Sequence, residues 1–125
     1  MVFLLRLLAG LPLRVVHRLG ALSGWLTWLL SSRYRQHLLE NMQQAGIDPA
    51  LQSVAIAEAG KQALELPSIW LHSLDDVVPR IVKVTGWEII EQAQATGKGI
   101  VFLTPHLGCF EITAQYYAAH APITV

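Results

Sequence analysis

Apolar and small residues run almost unbroken from residue 2 to residue 30, interrupted by Arg6, Arg14, His17 and Arg18. The longest stretch without a formal charge, Leu19 to Ser32, is fourteen residues, whereas a spanning helix needs about 20 apolar residues. Extending it back over residues 7–13 carries Arg14 and Arg18 into the span, at about 2.5–3.5 kcal/mol each near its centre. At about 100° per residue, Arg6, His17, Arg14 and Arg18 share an arc of roughly 120°. That favours a helix lying in a membrane interface with its basic face toward lipid phosphates. Gly10 and Pro12 interrupt the pattern, so two shorter helices fit as well as one. Trp25 and Trp28 suit the headgroup level, and Arg33 and Arg35 close the segment as a positive flank.

Beyond it the pattern changes twice. Polar content from Arg33 to Ala45 predicts a solvated helix stopped by Gly46. Asp48 caps and Pro49 starts the next helix, which runs to about Leu66. Pro67 is expected to kink or stop it, with residues 68–73 able to resume. At Arg80 the residues begin to alternate, and Arg80 to Val84 reads as a strand with one face covered, turned by Gly86. Trp87 to Thr96 carries a helical stripe ended by Gly97. Gly99 to Thr104 is a continuous apolar run, read as a strand buried on both faces. Phe110 to Ala119 reads as a helix, and Pro122 to Val125 as the start of a third strand.

Helices followed by strand–helix–strand–helix–strand predict an α/β fold: N-terminal membrane-associated helices, then the start of a sheet with crossover helices. The expected division is an anchor over residues 1–32 and an incomplete domain over 33–125. A sheet that stops as its third strand begins points to a piece of a longer protein.

Composition sharpens the first region. The chain has 53% hydrophobic and 14% charged residues, against about 25% charged in an ordinary soluble domain. This excludes a disordered chain. One cysteine excludes an internal disulfide framework and a Cys-rich zinc module. The net charge of zero predicts no nucleic-acid partner. It hides an asymmetry: residues 1–39 hold five arginines and no acid, while residues 40–125 hold four bases and nine acids. Apolar surface with arginine suits an anionic membrane.

The candidate chemistry lies in Thr104-Pro105-His106-Leu107-Gly108-Cys109-Phe110-Glu111. In open α/β sheets, ligands bind beyond the carboxyl ends of strands, and His106 stands at such an end. Residues five apart on a regular helix are about 140° apart, so His106 and Glu111 can pair only if the chain turns between them. Gly108 permits that turn. His106 then lies in a loop and Glu111 in the first helical turn. A neutral imidazole can take a proton from an attacking alcohol, while a carboxylate on the other ring nitrogen fixes its tautomer. Exposed amides at the helix start could hold the oxyanion. The same spacing also fits a capped helix beside an ordinary loop histidine.

The segment from Gly97 to Glu111 resembles the glycine-turn, apolar-strand, H-x4-[DE] block of glycerolipid-type acyltransferases. More closely, the chain is similar to bacterial lipid A biosynthesis acyltransferases, which add lauroyl or myristoyl chains. Their anchor, Arg-rich segment, Asn and apolar pair, Val-x-Gly strand end and histidine block correspond in order to residues 1–32, Arg33-Tyr34-Arg35, Asn41-Met42, Val84-Thr85-Gly86 and the His106 block. Where many relatives have Asn-Trp before the acid, this chain has Cys109-Phe110.

The resemblance implies an enzyme on the cytoplasmic face of the bacterial inner membrane. It would move an acyl group from an acyl carrier protein thioester to a hydroxyl of a lipid A precursor. His106 would be the base and Glu111 its orienting partner, with no cofactor and no metal. Later family motifs would lie past Val125, so residues 1–125 alone are expected to be inactive. Two other readings stay open: another lipid acceptor, such as a lysophospholipid or glycosyl lipid, and a non-catalytic membrane-associated interaction protein. A Cys109 thiol nucleophile is disfavoured by Glu111 nearby. A metal site from His106, Glu111 and His120 is disfavoured by the length of helix between the last two. A cleaved signal peptide ending near Ala21-Leu22-Ser23 conflicts with the arginines in its apolar region. A buried helix of a soluble core is the remaining alternative for residues 2–30.

Overall fold

A computed structural model describes residues 2–124. Their elements are helices α1 (Val2–Ala9), α2 (Leu13–Leu30), α3 (Ser32–Gln44), α4 (Gln52–Trp70), α5 (Leu74–Val77), α6 (Trp87–Ala95) and α7 (Glu111–Ala118), with 3-10 turns at Pro49–Leu51 and Val78–Arg80. They form two compact units, Met1–Leu71 and His72–Val125.

In the first unit the apolar run divides at Gly10–Pro12 into two helices. Ser31 separates α2 from α3: its backbone is extended, and its hydroxyl accepts a 3.2 Å hydrogen bond from the Tyr34 amide. That bond caps α3. Helix α3 ends as its sequence predicts, with Gly46 at φ +66° and the Ile47 amide returned to the Met42 carbonyl at 2.9 Å. Asp48 caps the Pro49 turn by accepting from the Ala50 amide at 2.9 Å.

Helix α4 does not stop at Leu66: it continues through Pro67 to Trp70. Proline removes one helical donor, but Pro67, Ser68 and Ile69 are all buried. The Ser68 hydroxyl donates to the Glu65 carbonyl at 2.7 Å. Packing of this turn overrides the local preference.

Helix α2 packs on α4 through small residues. A Cβ on Gly20 would come within 2.6 Å of the Lys61 Cα, and one on Gly24 within 3.3 Å of the Gly60 Cα. The two backbones therefore touch, as at small-xxx-small crossings. Around this crossing lie the buried Val16, Trp28, Ile56 and Ile69, with Ala9 from α1 and Met42 from α3. His17 is not on the arginine face. It turns to α4, where Nε2 lies 3.0 Å from Glu65 Oε2.

The second unit holds the expected helices α6 and α7, and Gly97 follows α6 at φ +70°. No β-ladder joins any described residues, so the sheet of the α/β expectation is not formed among them. Residues 81–85 and 98–107 carry no regular structure. Burial on both faces is not found for 99–104: Val101 is 88% and Leu103 93% exposed. Hydrophobic alternation identifies a segment that can pair, but a ladder also needs a second chain segment to receive its amides and carbonyls. Residues 122–124 are irregular, and Val125 lies outside the described residues.

Candidate active site

The loop between residue 98 and α7 is built by two left-handed positions. Gly108 has φ +58°, which costs glycine little. His106 has φ +53° and, among the described residues, is the non-glycine residue with positive φ. Such a backbone costs a side-chain-bearing residue about 1–2 kcal/mol. Residues held this way cluster at functional sites. The turn brings Glu111 to the first position of α7 while His106 stays in the loop.

The His106 ring has two defined neighbours. Its Nδ1 lies 3.2 Å from the Thr104 carbonyl oxygen, and its centroid lies 4.0 Å from that of Phe110, at 38°. A carbonyl can only accept, so Nδ1 carries the proton. In the neutral ring, Nε2 then keeps its lone pair. This is the tautomer a general base needs at Nε2. The group holding it is a backbone carbonyl, the same ring position the sequence reading gives to the Glu111 carboxylate. The sequence reading did not place Phe110 beside His106. Its spacing of four from His106 was the available signal.

Two early amides of α7 are not free donors. Ile112 N bonds the Cys109 carbonyl at 3.2 Å, and Thr113 N bonds the Phe110 carbonyl at 3.0 Å. The Phe110 amide returns to the Gly108 carbonyl at 3.0 Å. These three amides at the helix start are thus engaged in the turn itself.

Thr104 and Pro105 border a cavity of about 480 Å³, whose walls include Trp87, Phe102, Ile112 and Tyr116. That volume is within the usual range for a small-molecule site, about 300–1,000 Å³. Aromatic contacts hold its walls. Trp87 meets Tyr116 edge-on at 5.2 Å, and Phe102 lies 4.7 Å from Tyr117. Gln94 Nε2 donates to the Tyr117 hydroxyl at 3.0 Å. The Trp87 and Gln94 contacts join α6 to α7 through side chains.

His120 belongs to the same packing. Its ring lies 4.6 Å from both Trp87 and Tyr116, and Nδ1 donates to the Tyr116 carbonyl at 2.8 Å. It stands past the C-terminal end of α7, with Glu111 at the other. Among the described residues, no three His, Cys, Asp or Glu side chains group as metal ligands.

The family model for bacterial lipid A biosynthesis acyltransferases matches residues 1–125, the whole chain, and the chain belongs to that family. No curated protein and no solved structure matches it.

Proposed function

From that membership we propose that this chain carries the base of an acyl transfer, in which His106 deprotonates the acceptor hydroxyl. The supporting observation is the His106 loop itself: a strained backbone presenting an imidazole whose Nδ1–H is committed to Thr104. The acceptor oxygen attacks the thioester carbonyl as its proton passes to Nε2. The C–O bond forms, the tetrahedral oxyanion collapses, the C–S bond breaks, and the imidazolium returns the proton to the leaving thiolate. Nδ1 donates throughout, so the charge on the ring stays stabilised. Glu111 takes over that hydrogen bond from Thr104 when the substrates bind, replacing a neutral acceptor by a charged one. The loop amides of Leu107 and Gly108 are the oxyanion donors.

The donor is an acyl carrier protein thioester and the acceptor a hydroxyl on a lipid A precursor, at the cytoplasmic face of the bacterial inner membrane. The apolar cavity beside Thr104 and Pro105 takes the acyl chain. The test uses the protein in its natural reading frame, purified in detergent, with lauroyl or myristoyl acyl carrier protein and a lipid A precursor. Mass spectrometry of the lipid is expected to show a gain of one acyl chain. His106→Ala should lower the rate by about 10²–10⁴-fold, the usual contribution of a general base. A His106→Ala protein that is folded and fully active would refute the base assignment. Transfer to a lysophospholipid instead would keep the base and change the acceptor.

A further inference from the structure

Helix α2 carries an arc of apolar side chains that nothing in the first unit covers. At about 100° per residue, Val15, Leu19, Leu22, Leu26, Leu29 and Leu30 fall within roughly 100° of one another, opposite the face that meets α4. All six are exposed, Leu22 at 67% and Leu30 at 77%. Along one edge of this arc run Arg14, Arg18 and Trp25, all exposed as well. On α1, Phe3, Leu4 and Leu7 are also exposed.

We propose that α2 docks in the plane of an anionic phospholipid leaflet, with this arc in the hydrocarbon and Arg14 and Arg18 on lipid phosphates, and does not cross the bilayer. The proposal deepens the membrane reading above and rests on it. Length alone does not decide between lying and crossing, because eighteen residues rise about 27 Å, close to the hydrocarbon thickness of about 30 Å. Two other features do.

The first is the crossing with α4. The Gly20, Gly24 and Gly60 backbones touch, and His17 is bonded to Glu65. Helix α2 therefore cannot enter the bilayer without α4. Helix α4 carries Glu58, Lys61 and Glu65, with Glu58 and Lys61 paired to each other at 2.6 Å. Crossing would place all three in hydrocarbon, where charged residues are disfavoured.

The second is the position of the charges on α2. Arg14 and Arg18 lie along one edge of the apolar arc over the first half of the helix, with Trp25 continuing that edge beyond. An in-plane helix puts such an edge at headgroup level along its length, where arginine meets phosphate and tryptophan sits at the interface. The occupant is thus an anionic leaflet, by charge complementarity.

The experiment replaces Cys109 by Ser and then introduces Leu13→Cys at the start of α2 or Ser32→Cys just past its end, at the start of α3. Each single-cysteine protein is added from outside to vesicles of phosphatidylcholine with phosphatidylglycerol, and to phosphatidylcholine alone. Tight binding is expected only with the anionic lipid. Both cysteines should then react with a membrane-impermeant maleimide added outside. Labelling of one end only, the other being protected until the vesicles are lysed, would show a crossing helix and overturn the proposal.

The double variant Leu22→Asp, Leu26→Asp should weaken binding by tenfold or more with an unchanged circular dichroism spectrum. Arg14→Gln with Arg18→Gln should abolish the preference for anionic vesicles. Unchanged binding by the aspartate variant, together with loss of a dimer in solution, would assign the arc to a second copy and overturn the proposal. No binding to any vesicle would refute the membrane reading itself, while leaving the acyl-transfer reading to its own assay.

Discussion

The two units solve the burial problem differently. In residues 1–71, backbone meets backbone: Gly20, Gly24 and Gly60 close the α2–α4 crossing, and Val16 and Ile56 are fully buried beside it. In residues 72–125, Val77 is the buried hydrophobic residue among those described, and extended segments leave valine and leucine in the open. One unit is held by shape and the other by local hydrogen bonds and aromatic contacts. The candidate chemistry lies in the second. The exchange of acceptors proposed at His106 Nδ1 would fall in the unit where local opening is less expensive, and the proposed docking face in the unit with the tighter helix crossing.

The contrast breaks most easily at Gly60. An added Cβ would lie 2.6 Å from the Gly24 nitrogen and closer still to the Gly20 carbonyl oxygen. Backbone cannot move aside as a flexible side chain can, so α2 and α4 must separate. Gly60→Ala is expected to lower stability by about 3 kcal/mol or more, the upper part of the overpacking range. Thermal unfolding followed by circular dichroism measures it. A change within about 0.5 kcal/mol, typical of a surface site, would mean that the helices are not in backbone contact.

A pair of side-chain truncations sharpens the comparison. Ile56→Ala removes a fully buried side chain from the first unit and should cost about 2–5 kcal/mol. Leu103→Ala, at a residue 93% exposed, should stay within about 0.5 kcal/mol. Chemical denaturation of both variants gives the two numbers. Similar costs would mean that Leu103 packs in a core and that the units are alike after all.

The same difference explains how much was legible in the sequence. Helix ends were read well where their cause is local. Gly46 and Gly97 stop α3 and α6 through their own left-handed φ, and Asp48 caps through its own side chain. The break at Gly10–Pro12 was legible for the same reason. Features that depend on a distant partner were not. Pro67 stays helical because its turn is buried, and His17 leaves the arginine face because Glu65, 48 residues on, receives it. The GxxxG spacing of Gly20 and Gly24 was visible, but its meaning needed Gly60 opposite. At the candidate site, the turn at Gly108 and the start of α7 followed from spacing. The Thr104 carbonyl and the Phe110 ring beside His106 did not, since they depend on the φ that His106 itself adopts.

The smallest expected effect tests the local half of the contrast. Helix α5 is four residues long and begins beside a side-chain pair, in which the Ser73 hydroxyl donates to Asp76 Oδ2 at 2.8 Å. The Asp76 amide also returns to the Ser73 carbonyl at 3.1 Å. The Ser73 hydroxyl bond is the main cause holding the Asp76 carboxyl below its ordinary value of 3.8; desolvation opposes it, and the Ser73 backbone, His72 and Arg80 add smaller lowering effects. A depressed carboxylate favours the folded state while it is ionised. Its contribution is therefore complete above 3.8 and is lost as the pH falls through the lower, folded value. Ser73→Ala should raise the Asp76 pKa toward 3.8 and remove that acid-side dependence from α5, with the α2–α4 crossing unaffected. A carboxyl NMR titration of both proteins reads the shift. An unchanged Asp76 in Ser73→Ala would mean that the hydroxyl does not hold the carboxylate, and that α5 owes its start to packing, as the first unit does.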